Sequence, residues 1–218
     1  MTEPVLETVR LPYAVPYYAQ IASPELAEAI FVHGMDPAQD PRWAESGAEN
    51  HQEYAYWVER ACGVACLKMC VEAAGGPLLS LVAWARLGLA RGGYLIRQNA
   101  DGSQHEVGWV HGALAEMVHE TGLMAEARPA SLDEILAYLR LGKMVIVSVS
   151  YEVGDDLPIT RQGGHLMVVT GAECVDGRLR AFYVNNPSGR RAELQAGARL
   201  QVDRFAAAYS GRVIVIGL

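Results

Sequence analysis

The chain has 218 residues, 51% of them hydrophobic, which is enough apolar material for one sizeable core. A formal net charge of −7 and the lack of a basic run argue against a nucleic-acid binder. The apolar runs are too short to span a bilayer and the start lacks a signal-peptide pattern, so we expect a cytoplasmic protein with reduced thiols and no membrane span.

Helical patterns dominate the first two thirds of the chain. The segment "SPELAEAIFVHG" predicts a short helix capped by Ser23, with Pro24 in its first turn. In "SLDEILAYLRLG", Ser131 and Glu134 form a capping box. Three further helices are predicted, in "GVACLKMCVEAAGG", "LLSLVAWARLGLARGG" and "GWVHGALAEMVHETG".

Short β-branched segments separated by Gly, Asp or Pro turns dominate the rest. The predicted strands are "KMVIVSVSY", "HLMVVTGAEC", "RLRAFYVNN", "ARLQVDRF" and "GRVIVIGL". The "VDGR" turn predicts a hairpin between the second and third of them. Because helices precede strands without βαβ alternation, we expect an α+β fold. No linker is visible, so residues 1–218 are predicted to form one domain with two lobes.

Three of the four cysteines follow one another at intervals of four residues, as Cys62, Cys66 and Cys70. Zinc motifs commonly use a C-x₂-C pair, which is absent here, and the histidine spacings match no usual ligand pair. Neither a metal nor a cofactor is therefore predicted. Cys66, Cys70 and Cys174 are interpreted as small buried side chains.

Cys62 differs because it stands where a loop turns into a buried helix. A helix N-terminus lowers the pKa of a thiol, and its free N–H groups can bind the oxyanion of a tetrahedral intermediate. Gly63 would let the backbone approach a substrate closely. These features make Cys62 a candidate nucleophile.

A thiol nucleophile needs an imidazole to take its proton and a third group to orient that imidazole. His165 follows two glycines at the head of a predicted strand, and Asn186 ends the next strand. Taken singly, His165 would be an ordinary core histidine and Asn186 an ordinary Asn-Pro turn. Antiparallel pairing of the two strands would place them side by side, and the order Cys, His, Asn favours a catalytic interpretation.

The motifs "VPYYAQ", "ERACGVACLKM", "GGHLMVVTG" and "YVNNPSG" together resemble the papain-like cysteine peptidases related to bacteriocin-processing, double-glycine leader peptidases. The resemblance runs roughly from Val15 to the C-terminus. It implies a papain-like α+β fold, with a helical lobe, an antiparallel sheet lobe and the site in the cleft between them. It also implies that Cys62 is the nucleophile, that His165 and Asn186 complete the triad, and that Gln20 contributes to the oxyanion hole.

The sequence departs from that family pattern in two places. A long segment separates Gln20 from Cys62, so residues 21–56 are predicted to be an insertion. Gln52 lies closer to Cys62 along the chain and is the rival oxyanion donor. The third triad position is Asn186 where many family members carry Asp, and an amide can also orient an imidazole.

Three functions remain open at this stage. The leading one is a cysteine peptidase-like hydrolase that cleaves a peptide or amide bond through a thioester on Cys62. An acyltransferase would use the same Cys-His-Asn chemistry on an acyl substrate with another acceptor. A non-catalytic peptide-binding module would keep the fold alone.

Overall fold

The computed structural model describes residues 4–99, 101–154 and 158–217. Its helices are α1 (Ala27–Phe31), α2 (His51–Val58), α3 (Cys62–Ala73), α4 (Leu81–Ala90), α5 (His111–His119), α6 (Leu132–Arg140) and α7 (Val202–Ala208). Its strands are β1 (Leu6–Arg10), β2 (Tyr94–Gln98), β3 (Gln104–Trp109), β4 (Met124–Pro129), β5 (Met144–Val149), β6 (His165–Val175), β7 (Arg178–Asn185), β8 (Ala198–Gln201) and β9 (Tyr209–Gly217).

One antiparallel sheet of seven strands forms the second lobe. Its order is β4-β9-β5-β6-β7-β8, and β1 pairs with the part of β6 that β5 leaves free. Every residue of β5 is buried, as expected for an apolar strand covered on both faces. Strands β2 and β3 form a separate two-stranded hairpin.

Helix α3 connects the helical lobe to the sheet. Eight of its residues, Gly63 to Leu67 and Met69 to Val71, are buried, and the helix packs against β6. The same hydrophobic cluster contains side chains of α4, α5, α6 and the sheet. The helices and the sheet therefore share one continuous hydrophobic core.

Several predictions from sequence are confirmed. The fold is α+β, and the β6–β7 hairpin turns at Asp176 and Gly177, whose φ angles of 50° and 74° are those of a tight hairpin turn. The capping box joins Ser131 and Glu134 at the start of α6. Helix α3 begins at Cys62, as predicted.

Other predictions were wrong. Ser23 does not cap the first helix, because its hydroxyl bonds Asp40 at 2.6 Å and residues Pro24–Leu26 form a 3₁₀ turn. The segment "ARLQVDRF" is a strand only as far as Gln201 and continues as α7. Four strands, β1 to β4, precede the last helices, so the helices do not all come first.

The segment 21–56 has a small core of its own. Ile21, Ala27, Ile30 and Tyr54 are buried together with Val58. In the same segment, the buried carboxylate of Asp40 accepts hydrogen bonds from the Tyr54 hydroxyl and from Ser23. These contacts hold the segment in a defined shape beside the start of α3.

Candidate active site

Cys62 is the first residue of α3 and is half-buried. The glycine that follows it has a packing role, which differs from the expectation that it admits substrate backbone. A Cβ atom at Gly63 would lie 2.7 Å from the ring of Trp109, so only glycine lets this indole pack on the helix. The indole Nε1 of Trp109 donates to the carbonyl of Arg60 at 2.6 Å and fixes the chain just before the cysteine.

The electrostatic expectation for Cys62 is also corrected. Burial raises the pKa of its thiol above the usual value, although the backbone N–H groups of Leu166, Gly63 and Cys62 act in the lowering direction. Desolvation of a thiolate therefore outweighs the helix N-terminus. Burial therefore favours the protonated thiol of Cys62 over the thiolate.

The imidazole of His165 is held by Asn186. Its Nε2 lies 2.9 Å from the side-chain oxygen of Asn186, and both residues are about 5% exposed. The orientation of the amide is fixed because the backbone N–H of Ser188, which can only donate, also contacts that oxygen at 3.1 Å. The Nε2 atom must then carry the proton, and Nδ1 is left as the basic nitrogen.

Burial keeps this imidazole neutral. It lowers the pKa of His165 to about 4, and the hydrogen bond that Nε2 donates to the Asn186 oxygen acts in the opposite, raising direction. At neutral pH His165 is therefore an uncharged base that can accept a proton. This is the protonation state that a neutral thiol partner requires.

Ser188 is a site residue that sequence reasoning missed. Its hydroxyl lies 3.0 Å from Nε2 of His165 and 3.4 Å from the Asn186 oxygen. The only signal for it was its position two residues after Asn186 in "NNPSG", a common turn sequence. Asn185 anchors the same turn, since its amide nitrogen approaches the carbonyl of Val15 at 3.3 Å.

The structure distinguishes the two candidate glutamines. Gln20 lines the cleft that contains Cys62 and His165, and its backbone N–H bonds the carbonyl of Pro187 at 2.9 Å. Gln52 is an exposed residue of α2 and lines none of the clefts found around Cys62 among the described residues. Gln20 therefore lies beside the predicted nucleophile despite its distance in sequence.

The Gln20 amide is 4% exposed and unusually bonded. Its nitrogen donates one hydrogen to the carbonyl of Val58 at 2.6 Å. An amide nitrogen carries a second hydrogen, which has no partner among the described residues. The Gln20 oxygen is likewise buried without a partner. A buried polar group without its full set of partners requires an explanation, and a catalytic role is one such explanation.

A cleft of about 380 Å³ brings all four predicted residues together, lined by Gln20, Cys62, His165 and Asn186. Phe31, from the segment 21–56, and Tyr151 and Leu194, from the sheet lobe, form other parts of its wall. Among the described side chains no hydrogen bond joins the Cys62 sulfur to the imidazole. The predicted thiol–imidazole contact therefore stays a prediction.

The remaining cysteines behave as the sequence indicated. Cys66, Cys70 and Cys174 are free and buried, and burial raises the pKa of each thiol. Within the described ranges no group of three His, Cys, Asp or Glu side chains could hold a metal ion. No helix in those ranges is both long and apolar enough to cross a bilayer.

The raised pKa of Cys62 leads to a prediction about its reactivity. We expect alkylation by iodoacetamide to be slow below pH 7 and to accelerate toward and beyond pH ~8.5, the value of an ordinary thiol, because burial disfavours the thiolate. The measurement is the labelling rate of each cysteine against pH by peptide mapping. Cys62 should label before the three buried cysteines at every pH. A plateau of rapid Cys62 labelling below pH 7 would indicate a resting ion pair instead.

Comparisons with known proteins bear on the fold. No family model matches the sequence, and no curated protein is similar enough in sequence to match it. A solved structure of a Bacillus anthracis protein described as a C39-like peptidase matches with a TM-score of 0.53 and 16% identity, over 73% of this chain and 90% of that one. The chain has the fold of a C39-like peptidase. This is the papain-like fold implied by the resemblance in sequence.

Two other solved structures are similar at lower TM-scores. The peptidase domain of Streptococcus ComA, a bifunctional ABC transporter, matches with a TM-score of 0.48 and 19% identity, over 73% of this chain and 92% of that one. A double-glycine-motif protease from a PCAT transporter, crystallised with a leader peptide, gives a TM-score of 0.45 and 14% identity, over 71% and 82%.

Proposed function

We propose that this chain is a cysteine peptidase that cleaves a peptide or amide bond through a thioester on Cys62. One observation carries the proposal: the half-buried Cys62, at the N-terminus of α3, shares a cleft with the imidazole of His165. The hydrogen bond from Nε2 of that imidazole to the Asn186 oxygen leaves Nδ1 free to accept a proton. The proposal treats residues 1–218 as one catalytic domain and residues 21–56 as an insertion. The continuous core and the contribution of Phe31 to the cleft support it.

The proposed reaction has two halves. Nδ1 of His165 takes the proton of the Cys62 thiol as the sulfur attacks the substrate carbonyl, and the carbon–nitrogen bond then breaks as the imidazolium returns that proton to the leaving amine. Water then attacks the thioester carbonyl as Nδ1 of His165 takes its proton; the carbon–sulfur bond breaks, the imidazolium returns the proton to the sulfur, and the carboxylic acid leaves. In both halves the developing oxyanion would be bound by the free amide hydrogen of Gln20 and the backbone N–H of Cys62.

Both neutral partners suit this general-base route. Because the thiol pKa is raised and the imidazole pKa lowered, proton transfer is costly in the free protein and becomes favourable only as carbon–sulfur bond formation proceeds. Asn186 and Ser188 would then stabilise the imidazolium through Nε2. Their hydrogen bonds would strengthen as positive charge develops on the ring.

The test uses an activated ester and a defined peptide mixture. We expect p-nitrophenyl acetate to acetylate Cys62, as detected by intact-mass and peptide-mapping spectrometry, and the peptide mixture to yield new termini. The Cys62→Ser and His165→Gln variants should give neither product, whereas Cys174→Ser, which changes a buried thiol in the sheet, should give both. Identical products from the unchanged chain and from Cys62→Ser would contradict the proposal that the chain is a cysteine hydrolase.

The same experiment separates the hydrolase from the acyltransferase. If the chain is a hydrolase, the acetyl adduct on Cys62 should turn over to acetate and free thiol in water without any added amine. An adduct that persists in water and is discharged only when an amine such as glycine amide is added would assign the chain to acyl transfer. A folded chain that forms no acyl adduct would be a binding module.

A further inference from the structure

A second cleft, of about 540 Å³, shares Cys62 and His165 with the first and extends to the β2–β3 hairpin. Tyr94 and Trp109 form an aromatic wall in it, with ring centroids 5.1 Å apart. A peptide bound across Cys62 would therefore occupy both clefts, with part of the chain on the hairpin side. The charges on that side determine which side chains it accepts.

A third cleft, of about 510 Å³, adjoins the second one and shares Trp109 and His111 with it. Three arginines line the second or the third cleft, and their charges are compensated differently. Arg60 donates to Glu106, with Nε 2.7 Å from a carboxylate oxygen, and Arg128 faces Glu126 at 3.7 Å. Arg212 lines the second and the third cleft and has no carboxylate partner among the described residues. Its guanidinium is therefore an uncompensated cation on the wall of the cleft that holds Cys62.

His111, the first residue of α5, lines the same two clefts beside Arg212. Burial lowers the pKa of His111, and the charge of Arg212 lowers it further. His111 is therefore an uncharged imidazole at neutral pH, able to donate one hydrogen bond. Among the described residues that line the second cleft, the one carboxylate belongs to Glu59, which lies 4.0 Å from Arg60.

We propose that Arg212 and His111 form a subsite for a substrate carboxylate on the hairpin side of Cys62. The subsite rests on the proposed function, since it assigns a substrate class to that cleft. A guanidinium binds a carboxylate through two parallel hydrogen bonds, and the neighbouring imidazole adds a third donor. The carboxylate could be an Asp or Glu side chain or the end of a peptide, and both present the same chemistry.

The test measures binding to the full chain carrying Cys62→Ser, so that no turnover occurs. Three peptides are compared: acetyl-Ala-Asp-Ala-amide, acetyl-Ala-Asn-Ala-amide and acetyl-Ala-Asn-Ala with a free carboxyl end. The shift of the His111 imidazole signals in NMR spectra is measured as each peptide is added, and it gives the affinity. We expect a carboxylate-bearing peptide to bind about three to ten times more tightly than the neutral one. The preferred peptide identifies the source of the carboxylate.

The control is matched in charge. In Arg212→Gln the carboxylate-bearing and neutral peptides should bind about equally tightly. Arg180→Gln removes the same charge from an exposed position on β7, and this variant should still prefer the carboxylate-bearing peptide. Equal affinities for the three peptides, or a preference that persists in Arg212→Gln, would overturn the subsite. These binding measurements do not depend on acylation of Cys62. A preference for the carboxylate, found in a chain whose Cys62 forms no acyl adduct, would support the subsite and contradict the proposed hydrolase function.

Discussion

The Gln20→Ala variant is expected to acylate Cys62 about a hundredfold to a thousandfold more slowly than the unchanged chain, a loss of roughly 3–4 kcal/mol in the barrier. The reason is that the second amide hydrogen of Gln20 would be the side-chain donor to the oxyanion. The initial rate of acetyl adduct formation on Cys62 with p-nitrophenyl acetate measures the effect. Gln52→Ala, at an exposed position, is the matched control and should leave the acylation rate of Cys62 nearly unchanged.

The same substitution should also affect folding, contrary to what a side chain in an open cleft would suggest. Gln20 is 4% exposed, and its removal leaves the buried carbonyl of Val58 without its donor at 2.6 Å. We expect a loss of about 1–2 kcal/mol in the free energy of unfolding. Urea titration of both glutamine variants separates the two effects. A folded Gln20→Ala protein that acylates at the normal rate would leave the backbone amide as the only oxyanion donor.

The pairing of His165 with Asn186 could be predicted because local sequence encodes it. The Asp176–Gly177 turn specifies a hairpin, and the hairpin fixes which strand ends meet. Helix α3 was equally readable, since its apolar run begins at Cys62 and ends before two glycines. In both cases the signal lies within a short stretch of chain.

The position of Gln20 is not local information, and only the resemblance in sequence indicated it. It depends on the segment before it lying along the Asn186 turn, where the Tyr17 hydroxyl donates to the Asn186 carbonyl at 3.1 Å. Strands β1 and β3 were missed for a related reason. Most of their side chains are exposed, so neither shows the alternation of a half-buried strand.

The ionisation of Cys62 could not be predicted from the helix N-terminus alone. Helix position is a property of sequence, whereas desolvation depends on what packs over the sulfur after folding. Here the indole of Trp109 covers Gly63, and β6 passes close enough for the Leu166 N–H to contact the thiol. Burial then has the larger effect on the pKa, as it commonly does for groups near a core.

Burial of His165 leads to the second large expected effect, on stability in acid. The pKa of His165 is about 4 in the folded chain, against about 6.5 for an unperturbed histidine, so the unfolded chain binds the proton more readily. The contribution of the neutral imidazole is complete above pH ~6.5 and is lost as the pH falls toward 4. The free energy of unfolding should therefore drop by about 3 kcal/mol from this residue alone between pH 7 and pH 4.

Urea unfolding at pH 7 and at pH 4 measures this loss, and variants isolate it from the other titrating groups. His165→Gln has no imidazole to protonate, so its stability should fall by about 3 kcal/mol less than that of the unchanged chain over the same interval. His119→Gln, at an exposed position on α5, should keep the full pH dependence. Equal pH dependence in all three proteins would mean that His165 is hydrated, and the neutral-base mechanism that relies on its burial would fail with it.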